Sequence, residues 1–505
     1  MDRGRAGSDR GRRADLVVGG ARGAERRRLA AGGALTARTK LVCTLGPATS
    51  TPKLVRGLVA AGTSIFRINL SHGSPEEHAR AVGLVRAAEA EVGSPLAVLA
   101  DLPGPKVRLR TLDPDPFVFR PGQRFSLRPG GPGNSESAST TYPQLAGDLR
   151  RGDRVLLADG AVELNVVEME GDVVRTECVR GGTVRSGQGV NVPAERLGLG
   201  AVTERDREGL ARSLDLGVDL VAQSFIRDPK DIGELRQLMG DRVVPIVAKI
   251  ETKPAVESIE QILDVTDALM VARGDLGVEL PMEEIPLLQK DLLHAARAVG
   301  RPVIVATQML ESMIRAPRPT RAEATDVANA VLDGADGIML SGETAIGEYP
   351  FESAAAATKI AEAVESRGSV YRAAQPACRH TGEAAAVAHA VASVAIEDRD
   401  VVAIGCYTET GRTAQLLSAE RPGCPIYAFI PDEGVRRANA ILWGVVTLPA
   451  RRPADTDEMI ALMDEGLQAH GLIESGQSVV LAAASPAGRT TTNMLKIHQV
   501  GTPIR

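Results

Sequence analysis

Two short apolar runs near the middle of the chain are each followed by residues that could do chemistry. The first, VVPIVAKI, contains Lys249 and is followed by Glu251, and the second, ALMVA, is followed within three residues by Gly274 and Asp275. Alternate residues of a strand share a face, so Lys249 and Glu251 would point the same way. Magnesium takes one or two carboxylates plus substrate oxygens, and a lysine supplies a point charge for a phosphate. The pattern predicts a divalent cation held beside an anion, although a structural ion pair at a barrel rim explains either motif equally well when taken alone.

Eight apolar runs of this kind recur between residue 40 and residue 341. They are KLVCTL (40–45), SIFRINL (64–70), LAVLAD (96–101), VDLVAQS (218–224), VVPIVAKI (243–250), DALMVAR (267–273), PVIVAT (302–307) and DGIMLS (336–341). The segments between them, such as 75–92 and 285–299, carry apolar residues at the three- and four-residue spacing of amphipathic helices. Eight strand–helix units predict a (β/α)8 barrel.

Polar residues follow nearly every one of these runs at the same end. In a (β/α)8 barrel the chemistry lies at the carboxyl ends of the strands. The residues at those ends are Arg67, Asn69, Asp101, Ser224, Lys249, Glu251, Arg273, Asp275, Thr307, Ser341 and Glu343. A random distribution of polar residues would not favour one end of each strand, so the pattern indicates an enzyme.

The alternation of strand-like runs and helical segments is interrupted once and ends before the C-terminus. Residues 106–199 carry period-2 and β-branched runs between Gly, Asp and Pro, which predicts a small antiparallel β domain inserted as a lid, with 129–140 as a loop. The barrel would then comprise 39–105 and 200–370. Residues 375–505 alternate strand-like runs with helical segments, including an alanine-rich helix at 381–397 and an edge strand at 490–500, and predict a separate α/β domain.

Composition excludes several classes of protein. The net charge of −5 and the aromatic content of 3% argue against a nucleic-acid partner, and no apolar run is long enough to predict a membrane span. Five cysteines without a C-x-x-C pair indicate buried thiols in a reducing, cytoplasmic compartment. Residues 1–38, with ten arginines against four acids, are typical of an organellar transit peptide or of a disordered basic extension, the latter being the simpler interpretation.

Longer motifs resemble the pyruvate kinase family over nearly all of residues 39–505. They are TKLVCTLGPAT (39–49), FRINLSHG (66–73), DLPGPKVR (101–108), AKIET (248–252), MVARGDLGVE (270–279), ATQMLESM (306–313), PTRAEATDVANAVLDGADGIMLSGETA (319–345) and TGRTAQ (410–415). The family architecture of barrel, inserted β lid and C-terminal α/β domain agrees with the predicted elements. The resemblance implies transfer of the phosphoryl group of phosphoenolpyruvate to ADP, giving pyruvate and ATP in glycolysis.

The resemblance also implies roles for individual residues. Glu251 and Asp275 would bind Mg²⁺, or Mn²⁺ in its place, and Lys249 would stabilise charge on the transferring group. Arg67 would hold the phosphate end of the substrate, while Gly274 and Thr307 would position the carboxylate end and the proton-delivery side. The ADP phosphates would meet Asn69, His72 and Arg108. Taken singly, Arg67 is explained by a rim salt bridge, His72 by a surface histidine and Thr307 by a helix cap.

Departures from the family pattern bear on the monovalent cation. In most of the family this ion is held by the equivalents of Asn69, Ser71 and Asp101 and by the backbone at the position of Leu102. Lys106 stands where an acid is common, in a chain with 9 lysines among its 59 basic residues. An ammonium there would repel a second cation, so K⁺ is predicted not to be required. Gln188 replaces a lysine of the lid near the nucleotide.

The turn Thr408-Glu409-Thr410-Gly411-Arg412-Thr413 resembles the effector loop of the family. A strand-to-helix turn with hydroxyls and an arginine could cradle a phosphate, with 485–491 (SPAGRTT) as a second wall, and it could equally be an ordinary capped turn. The effector residues would be Thr408, Thr410, Arg412 and Thr413, and the effector a sugar phosphate or AMP. A homotetramer is implied by family analogy alone.

Two other functions use the same residues differently. A lyase or aldolase on a related barrel would share the lysine and carboxylate pattern but would need neither the lid nor Arg108. A non-catalytic metabolite sensor would keep the C-terminal domain but could lose Lys249 or one of the metal carboxylates, Glu251 and Asp275. All three residues are present in this chain.

Overall fold

The computed structural model describes residues 37–367, 382–484 and 491–503. Nearly all of the predicted basic extension (1–38), most of the predicted second effector wall (485–491) and Cys378 lie outside these residues. Within the described part, no helix has the length and apolar character needed to cross a membrane. The other four cysteines, Cys43, Cys178, Cys406 and Cys424, are unpaired and buried, as predicted.

The first half of the chain contains the start of the barrel and the inserted domain. In chain order its strands are β1 (Lys40–Thr44), β2 (Thr63–Asn69), β3 (Ala97–Leu102), β4 (Phe117–Phe119), β5 (Arg124–Arg128), β6 (Ser137–Ser139), β7 (Arg154–Leu157), β8 (Val162–Glu170), β9 (Val173–Arg180), β10 (Gly182–Val184) and β11 (Val190–Asn191). Its helices are α1 (Pro52–Ala60), α2 (Pro75–Val92), α3 (Leu145–Asp148) and α4 (Glu204–Asp215).

The second half completes the barrel and adds the C-terminal domain. Its strands are β12 (Leu220–Gln223), β13 (Ile246–Ile250), β14 (Ala268–Ala272), β15 (Val303–Ala306), β16 (Gly337–Leu340), β17 (Val401–Tyr407), β18 (Ile426–Ile430), β19 (Val445–Pro449), β20 (Ser478–Ala483) and β21 (Met494–Gln499). Its helices are α5 (Pro229–Met239), α6 (Lys253–Glu257), α7 (Ile259–Val265), α8 (Arg273–Glu279), α9 (Ile285–Ala298), α10 (Arg321–Leu332), α11 (Gly342–Ala345), α12 (Pro350–Glu365), α13 (Glu383–Glu397), α14 (Arg412–Ala419), α15 (Glu433–Ala438) and α16 (Thr456–Ala469).

The eight predicted strands close into a parallel barrel in the order β1-β16-β15-β14-β13-β12-β3-β2, which confirms the predicted fold class. Every residue of β13 and of β14 is buried, because a barrel strand packs on both of its faces and therefore reads as a continuous apolar run. The prediction was wrong at one edge: β13 begins at Ile246, and Val243, the first residue of the predicted run, is 91% exposed.

The inserted domain is built on a six-stranded sheet in the order β11-β7-β8-β9-β5-β6, with β4 and β10 forming a separate pair. Phe117, Phe119 and Phe125 pack in its core with ring centroids 4.7 to 5.2 Å apart. The prediction of a loop over 129–140 was incomplete, because residues 137–139 form β6. This strand pairs in parallel with β5, so the sheet is not antiparallel throughout.

The C-terminal sheet has the order β19-β18-β17-β20-β21. Its first four strands are parallel, and β21 adds to the edge in the antiparallel direction, which confirms the predicted edge strand. The alanine-rich helix begins at Glu383, after Gly382, whose φ of +101° is a conformation that glycine adopts at low cost.

The chain divides into two compact units, and the candidate site residues are distributed between them. The first unit comprises Met1–Ala100, Leu216–Leu220 and Leu293–Arg505 and includes β1, β2, β15, β16 and the C-terminal sheet. The second comprises Asp101–Asp215 and Val221–Leu292 and includes the inserted domain, β13 and β14.

Candidate active site

Lys249 is the centre of the site residues of the second unit. Its Nζ lies 2.8 Å from Glu251 Oε1 and 3.2 Å from Asp101 Oδ1, and it donates to Ser224 Oγ over 2.6 Å. The Lys249 side chain is only 10% exposed, and those of Asp101 and Glu251 are 2% and 1% exposed. Three oxygens therefore fix the ammonium in one place within a largely water-free environment, where its charge acts more strongly than in solvent.

Glu251 follows β13 directly and is held from two sides. Its Oε2 accepts from the backbone N of Phe225 over 2.9 Å, and its Oε1 pairs with Lys249. Burial raises the pKa of Glu251 above its usual range, the neighbouring Asp275 adds to that rise, and Lys249 opposes it. Phe225 has a φ of +55°, a conformation that is rare for a bulky residue, so a strained turn after β12 delivers this N–H to the carboxylate.

Gly274 and Asp275 lie in the first turn of α8, which begins immediately after β14. β13 and β14 are adjacent, with Lys249 opposite Met270, so the two apolar runs are neighbouring strands as predicted. Lys106 Nζ lies 3.8 Å from Asp275 Oδ1, with both side chains about 30% exposed (30% and 28%). A lysine that the sequence places at the start of the lid is therefore directed at one of the two predicted metal ligands.

Glu279, the last residue of α8, gives a prediction on stability and pH. Burial raises the pKa of Glu279 to about 7, although the backbone at Ala194 and Lys253 hydrogen-bonds to it and acts in the opposite direction. Between about pH 4.5 and pH 7 the folded chain thus holds this proton more tightly than the unfolded chain, and stability falls as pH rises. Glu279→Gln is expected to stabilise the protein by on the order of 1–3 kcal/mol at pH 8 and by almost nothing at pH 4.5. Thermal melts of both proteins at the two pH values measure this, and an equal difference at both would contradict it.

Arg108 lies where the inserted domain begins and bridges to Gly189. Its guanidinium Nη1 donates to the Gly187 carbonyl over 3.0 Å, so Arg108 packs along the turn that contains Gln188. The Gln188 side chain accepts from the backbone N of Arg185 over 2.7 Å and thereby closes that turn. The Gln188 side chain is thus bonded within its own turn, and the Arg108 guanidinium supplies positive charge beside it.

Arg67 is a buried cation of the first unit. It lies on β2, is 9% exposed, and its Nη1 donates to Thr44 Oγ1 on β1 over 3.1 Å. Thr44 Oγ1 in turn donates to the Leu340 carbonyl at the end of β16 over 2.9 Å. Three adjacent barrel strands therefore orient this guanidinium.

Asn69, Ser71 and His72 form a tight turn at the end of β2. The Asn69 side chain accepts from the backbone N of Ser71 over 3.1 Å, and its carbonyl accepts from the backbone N of His72 over 3.2 Å. The His72 carbonyl contacts a ring nitrogen of His78 at 2.7 Å, while the His72 side chain is exposed. The turn is shaped by Asn69, which leaves the His72 ring on the surface.

Thr307, directly after β15, has strained backbone geometry. Its φ is +69° and that of Gln308 is +55°, in the left-handed region that β-branched residues rarely adopt. Strain of this kind costs on the order of 1–3 kcal/mol and clusters at functional sites. The Glu343 side chain is 1% exposed and fixes two backbone positions. It accepts from the backbone N of Leu310, three residues after Thr307, over 3.1 Å and from the backbone N of Ser341 over 2.7 Å.

The predicted effector residues begin directly after β17 and lead into α14. Thr408 and Thr413 are buried, and their hydroxyls contact Gly411 N at 3.1 Å and Thr492 Oγ1 at 2.7 Å. Thr410 and Arg412 are exposed, and Arg412 Nη1 donates to Gln415 along the helix over 2.9 Å. Gly411 needs its φ of +83° and lacks space for a Cβ, which would lie 2.2 Å from Asn439.

Sequence reasoning missed three parts of the site. Ser224 carried only the signal of its position at a strand end, yet it joins Lys249 to the Leu102 carbonyl, to which it donates over 2.7 Å. Glu343 likewise carried only the signal of its position after a strand, and the backbone N–H of Phe225 had no sequence signal. Among residues 37–367, 382–484 and 491–503, no group of three or more His, Cys, Asp or Glu side chains is arranged to hold a metal ion.

Comparison with known proteins gives the same family over both parts of the chain. Residues 36–354 match the family described as pyruvate kinase, barrel domain, and residues 385–498 match pyruvate kinase, alpha/beta domain. A pyruvate kinase of Mycobacterium tuberculosis is 42% identical over 453 residues, covering 88% of this chain and 95% of that protein. One from Geobacillus stearothermophilus is 40% identical over 454 residues, covering 88% and 77%.

A solved structure agrees with the sequence comparisons. The crystal structure of a pyruvate kinase from Cryptosporidium parvum superposes with a TM-score of 0.84 at 32% identity and covers 92% of this chain and 96% of that one. The likeness thus extends over the barrel, the inserted domain and the C-terminal domain together. The chain belongs to the pyruvate kinase family.

Proposed function

We propose that Lys249, Arg67 and Thr307 are the catalytic residues of a pyruvate kinase reaction, in which the phosphoryl group of phosphoenolpyruvate passes to ADP. The predicted reaction, a step of glycolysis, is confirmed at the level of the family. The observation that best supports the residue roles is the Lys249 ammonium, which is nearly buried and bonded to three oxygens. A cation fixed in this way neutralises charge on a transferring phosphoryl group without reorganising during the reaction.

Glu251 and Asp275 fit Mg²⁺, or Mn²⁺ in its place. Both donors are carboxylates, which these hard cations prefer, and two are enough because Mg²⁺ completes its shell with water and substrate oxygens. Mg²⁺ held by these carboxylates would supply positive charge that offsets the negative charge of the substrate. Lys249 pairs with Glu251 and would keep that carboxylate ionised and oriented.

Each end of phosphoenolpyruvate has candidate partners. Arg67 would hold the phosphate, because a guanidinium offers a planar fork of donors that matches phosphate oxygens. The backbone at Gly274 and Asp275, in the first turn of α8, would position the carboxylate. Thr307, whose hydroxyl donates to the Ala306 carbonyl over 2.6 Å, would stand on the proton-delivery side.

Asn69, His72 and Arg108 are the proposed partners of the ADP phosphates. Arg108 is the strongest of them, because its guanidinium lies along the turn that bears Gln188. The Gln188 amide is engaged within that turn, so Arg108 would contribute the charge that a lysine at position 188 provides in other members of the family.

Potassium is proposed not to be required. Asn69, Ser71 and Asp101 are the equivalents of the monovalent-cation ligands, but Leu102 is 1% exposed and has no hydroxyl to offer. The Lys106 ammonium, 3.8 Å from Asp275, would supply covalently the positive charge that a bound K⁺ contributes elsewhere.

A coupled assay for ADP-dependent pyruvate formation tests the proposed function. A lyase or aldolase would release pyruvate without ADP, and a metabolite sensor would release none. The buried and ordered Lys249 cluster favours catalysis over sensing, because a sensor has no use for a desolvated cation beside two carboxylates.

Glu251→Gln is expected to raise the Mg²⁺ concentration needed for half-maximal activity by about tenfold or more and to slow turnover, because the amide keeps the shape but is a poor ligand for a hard cation. Initial rates over a series of Mg²⁺ concentrations measure this. Glu257→Gln, on the exposed surface of α6, is the matched control. An unchanged Mg²⁺ dependence would remove Glu251 from the metal site.

Residues Thr408, Thr410, Arg412 and Thr413 are proposed to bind a phosphorylated effector, either a sugar phosphate or AMP. If so, such a metabolite will shift the phosphoenolpyruvate saturation curve, and Arg412→Ala will weaken its apparent affinity by roughly tenfold, the worth of a charge-assisted hydrogen bond. Arg399→Ala, also exposed in this domain, is the control. If no phosphorylated metabolite moves the curve and Arg412→Ala is silent, the loop is structural.

A homotetramer and a cytoplasmic location complete the proposal. The four described cysteines are buried thiols, which suits a reducing compartment, and family analogy supports the tetramer. Sedimentation of the purified protein tests the oligomeric state.

A further inference from the structure

Glu343 is a buried carboxylate whose two oxygens bind two different parts of the backbone. Its Oε1 accepts from the backbone N of Leu310, in the segment after β15, and its Oε2 accepts from the backbone N of Ser341, directly after β16. β15 and β16 are paired strands, so one side chain reaches the segments that follow both. A carboxylate is costly to bury unless hydrogen bonds compensate for the lost water, and these two N–H groups do so.

The helix α11, which carries Glu343, is itself fixed to the start of the barrel. The Thr344 hydroxyl donates to the Thr44 carbonyl at the end of β1 over 2.9 Å, and the Thr344 carbonyl accepts from the Thr49 hydroxyl over 3.1 Å. Gly347 packs so closely on this helix that a Cβ there would lie 2.3 Å from the Glu343 carbonyl oxygen. The carboxylate therefore stands on a backbone that cannot shift without breaking these contacts.

The segment after β15 requires an anchor, because its backbone is strained where Thr307 lies. Thr307 and Gln308 both have left-handed φ values, +69° and +55°. Residues other than glycine keep such conformations only where the surrounding structure imposes them. Complete burial of Met309 and Leu310 supplies part of this constraint, and the hydrogen bond from Leu310 to Glu343 supplies a directional part.

We propose that Glu343 is a positioning residue for the reaction, which holds the Thr307 hydroxyl where the proton is delivered by binding the N–H groups that follow β15 and β16. This inference rests on the proposed function, in which Thr307 stands on the proton-delivery side. An ionised carboxylate suits the task, because it only accepts hydrogen bonds and offers an oxygen to each N–H. A glutamine of the same size offers one acceptor and would turn its NH₂ group towards the other N–H donor.

Glu343→Gln is therefore expected to lower turnover in ADP-dependent pyruvate formation by about 100-fold, the effect of a small displacement of a catalytic group. Exchange of the methyl protons of pyruvate with D₂O, followed by proton NMR with Mg²⁺ present, should slow in parallel, because it uses the same proton-transfer step in reverse. Glu343→Asp is measured beside it, since it keeps the buried charge and disturbs the fold less. Thermal melts establish that each variant is folded at the assay temperature.

A double-mutant cycle with Thr307→Ala separates positioning from a structural role. If Glu343 acts through Thr307, its replacement will slow turnover strongly in the unmodified protein but by less than about threefold in the Thr307→Ala background. A carboxylate with a purely structural role would lower turnover by the same factor in both backgrounds.

Glu323→Gln is the matched control. Glu323 also accepts from two backbone N–H groups, those of Ser312 over 2.7 Å and Thr320 over 2.8 Å, and neither belongs to the strained turn at Thr307. This variant should melt at a lower temperature and keep nearly full turnover and proton exchange while folded.

The inference alone is overturned if folded Glu343→Gln and Glu343→Asp proteins keep nearly full turnover, or if the loss is equal in the Thr307→Ala background. A fully active Thr307→Ala protein would remove Thr307 from the reaction, and the positioning role of Glu343 with it. An unmodified protein that forms no pyruvate from phosphoenolpyruvate and ADP would instead contradict the proposed function itself.

Discussion

Lys249→Met is expected to lower turnover by roughly 10³–10⁵-fold, the effect of removing a single positioned cation from a phosphoryl-transfer site. The methionine fills similar space but leaves Asp101 and Glu251 without the ammonium that lies 3.2 and 2.8 Å from them. The transferring group would then lose the Lys249 ammonium as a partner for its charge, while the Glu251 and Asp275 carboxylates would still be present for Mg²⁺. Initial rates of ADP-dependent pyruvate formation at saturating substrates measure the loss.

The control for this change is Lys253→Met, which removes a lysine of the same unit that is 53% exposed. It should retain nearly full activity. Because removal of one partner of a buried ion pair is destabilising, thermal melts and Mn²⁺ titrations must show that the Lys249 variant is folded and binds metal at the assay temperature. A folded Lys249→Met protein that keeps a tenth or more of its turnover would remove this lysine from the mechanism.

The second large effect is expected at Lys106. In buffer with tetramethylammonium as the only monovalent cation, the unmodified protein should be fully active and gain little from added KCl. Lys106→Glu should lower activity by about 100-fold, because attraction to Asp275 at 3.8 Å becomes repulsion between like charges. Added KCl should restore part of that activity by supplying the missing positive charge.

Lys106→Gln is the matched variant, since it removes the ammonium without adding a carboxylate. It should lose less activity than Lys106→Glu and respond less to KCl. All rates are compared at constant ionic strength, because the Lys106 and Asp275 side chains are about 30% exposed (30% and 28%) and their interaction is partly screened. A large stimulation of the unmodified protein by KCl would show that this lysine does not replace the ion.

The sequence alone determined the barrel, and it placed the proposed site residues at the ends of its strands. A strand that is packed on both faces appears in the sequence as a short apolar run, and the helices between such strands appear as patterns of period 3.6. Both patterns are local, so they can be recognised without tertiary information. Lys249 and Glu251 could be placed on one face because residues two positions apart on a strand always point to the same side. Val243 was misplaced because an apolar residue before a strand looks the same whether it is buried or, as here, 91% exposed.

Contacts between distant segments were decided by the tertiary structure. Ser224 and Asp101 reach Lys249 only because three strands far apart in sequence are brought together, and their register sets which side chains meet. The left-handed backbone of Thr307 has no sequence signature, since threonine seldom adopts it and surrounding contacts must impose it. The Glu343 carboxylate likewise meets the backbone N of Leu310, which lies 33 positions earlier in the chain. An apolar pattern reports burial along one segment, whereas the partner of a buried charge is fixed only when several segments pack.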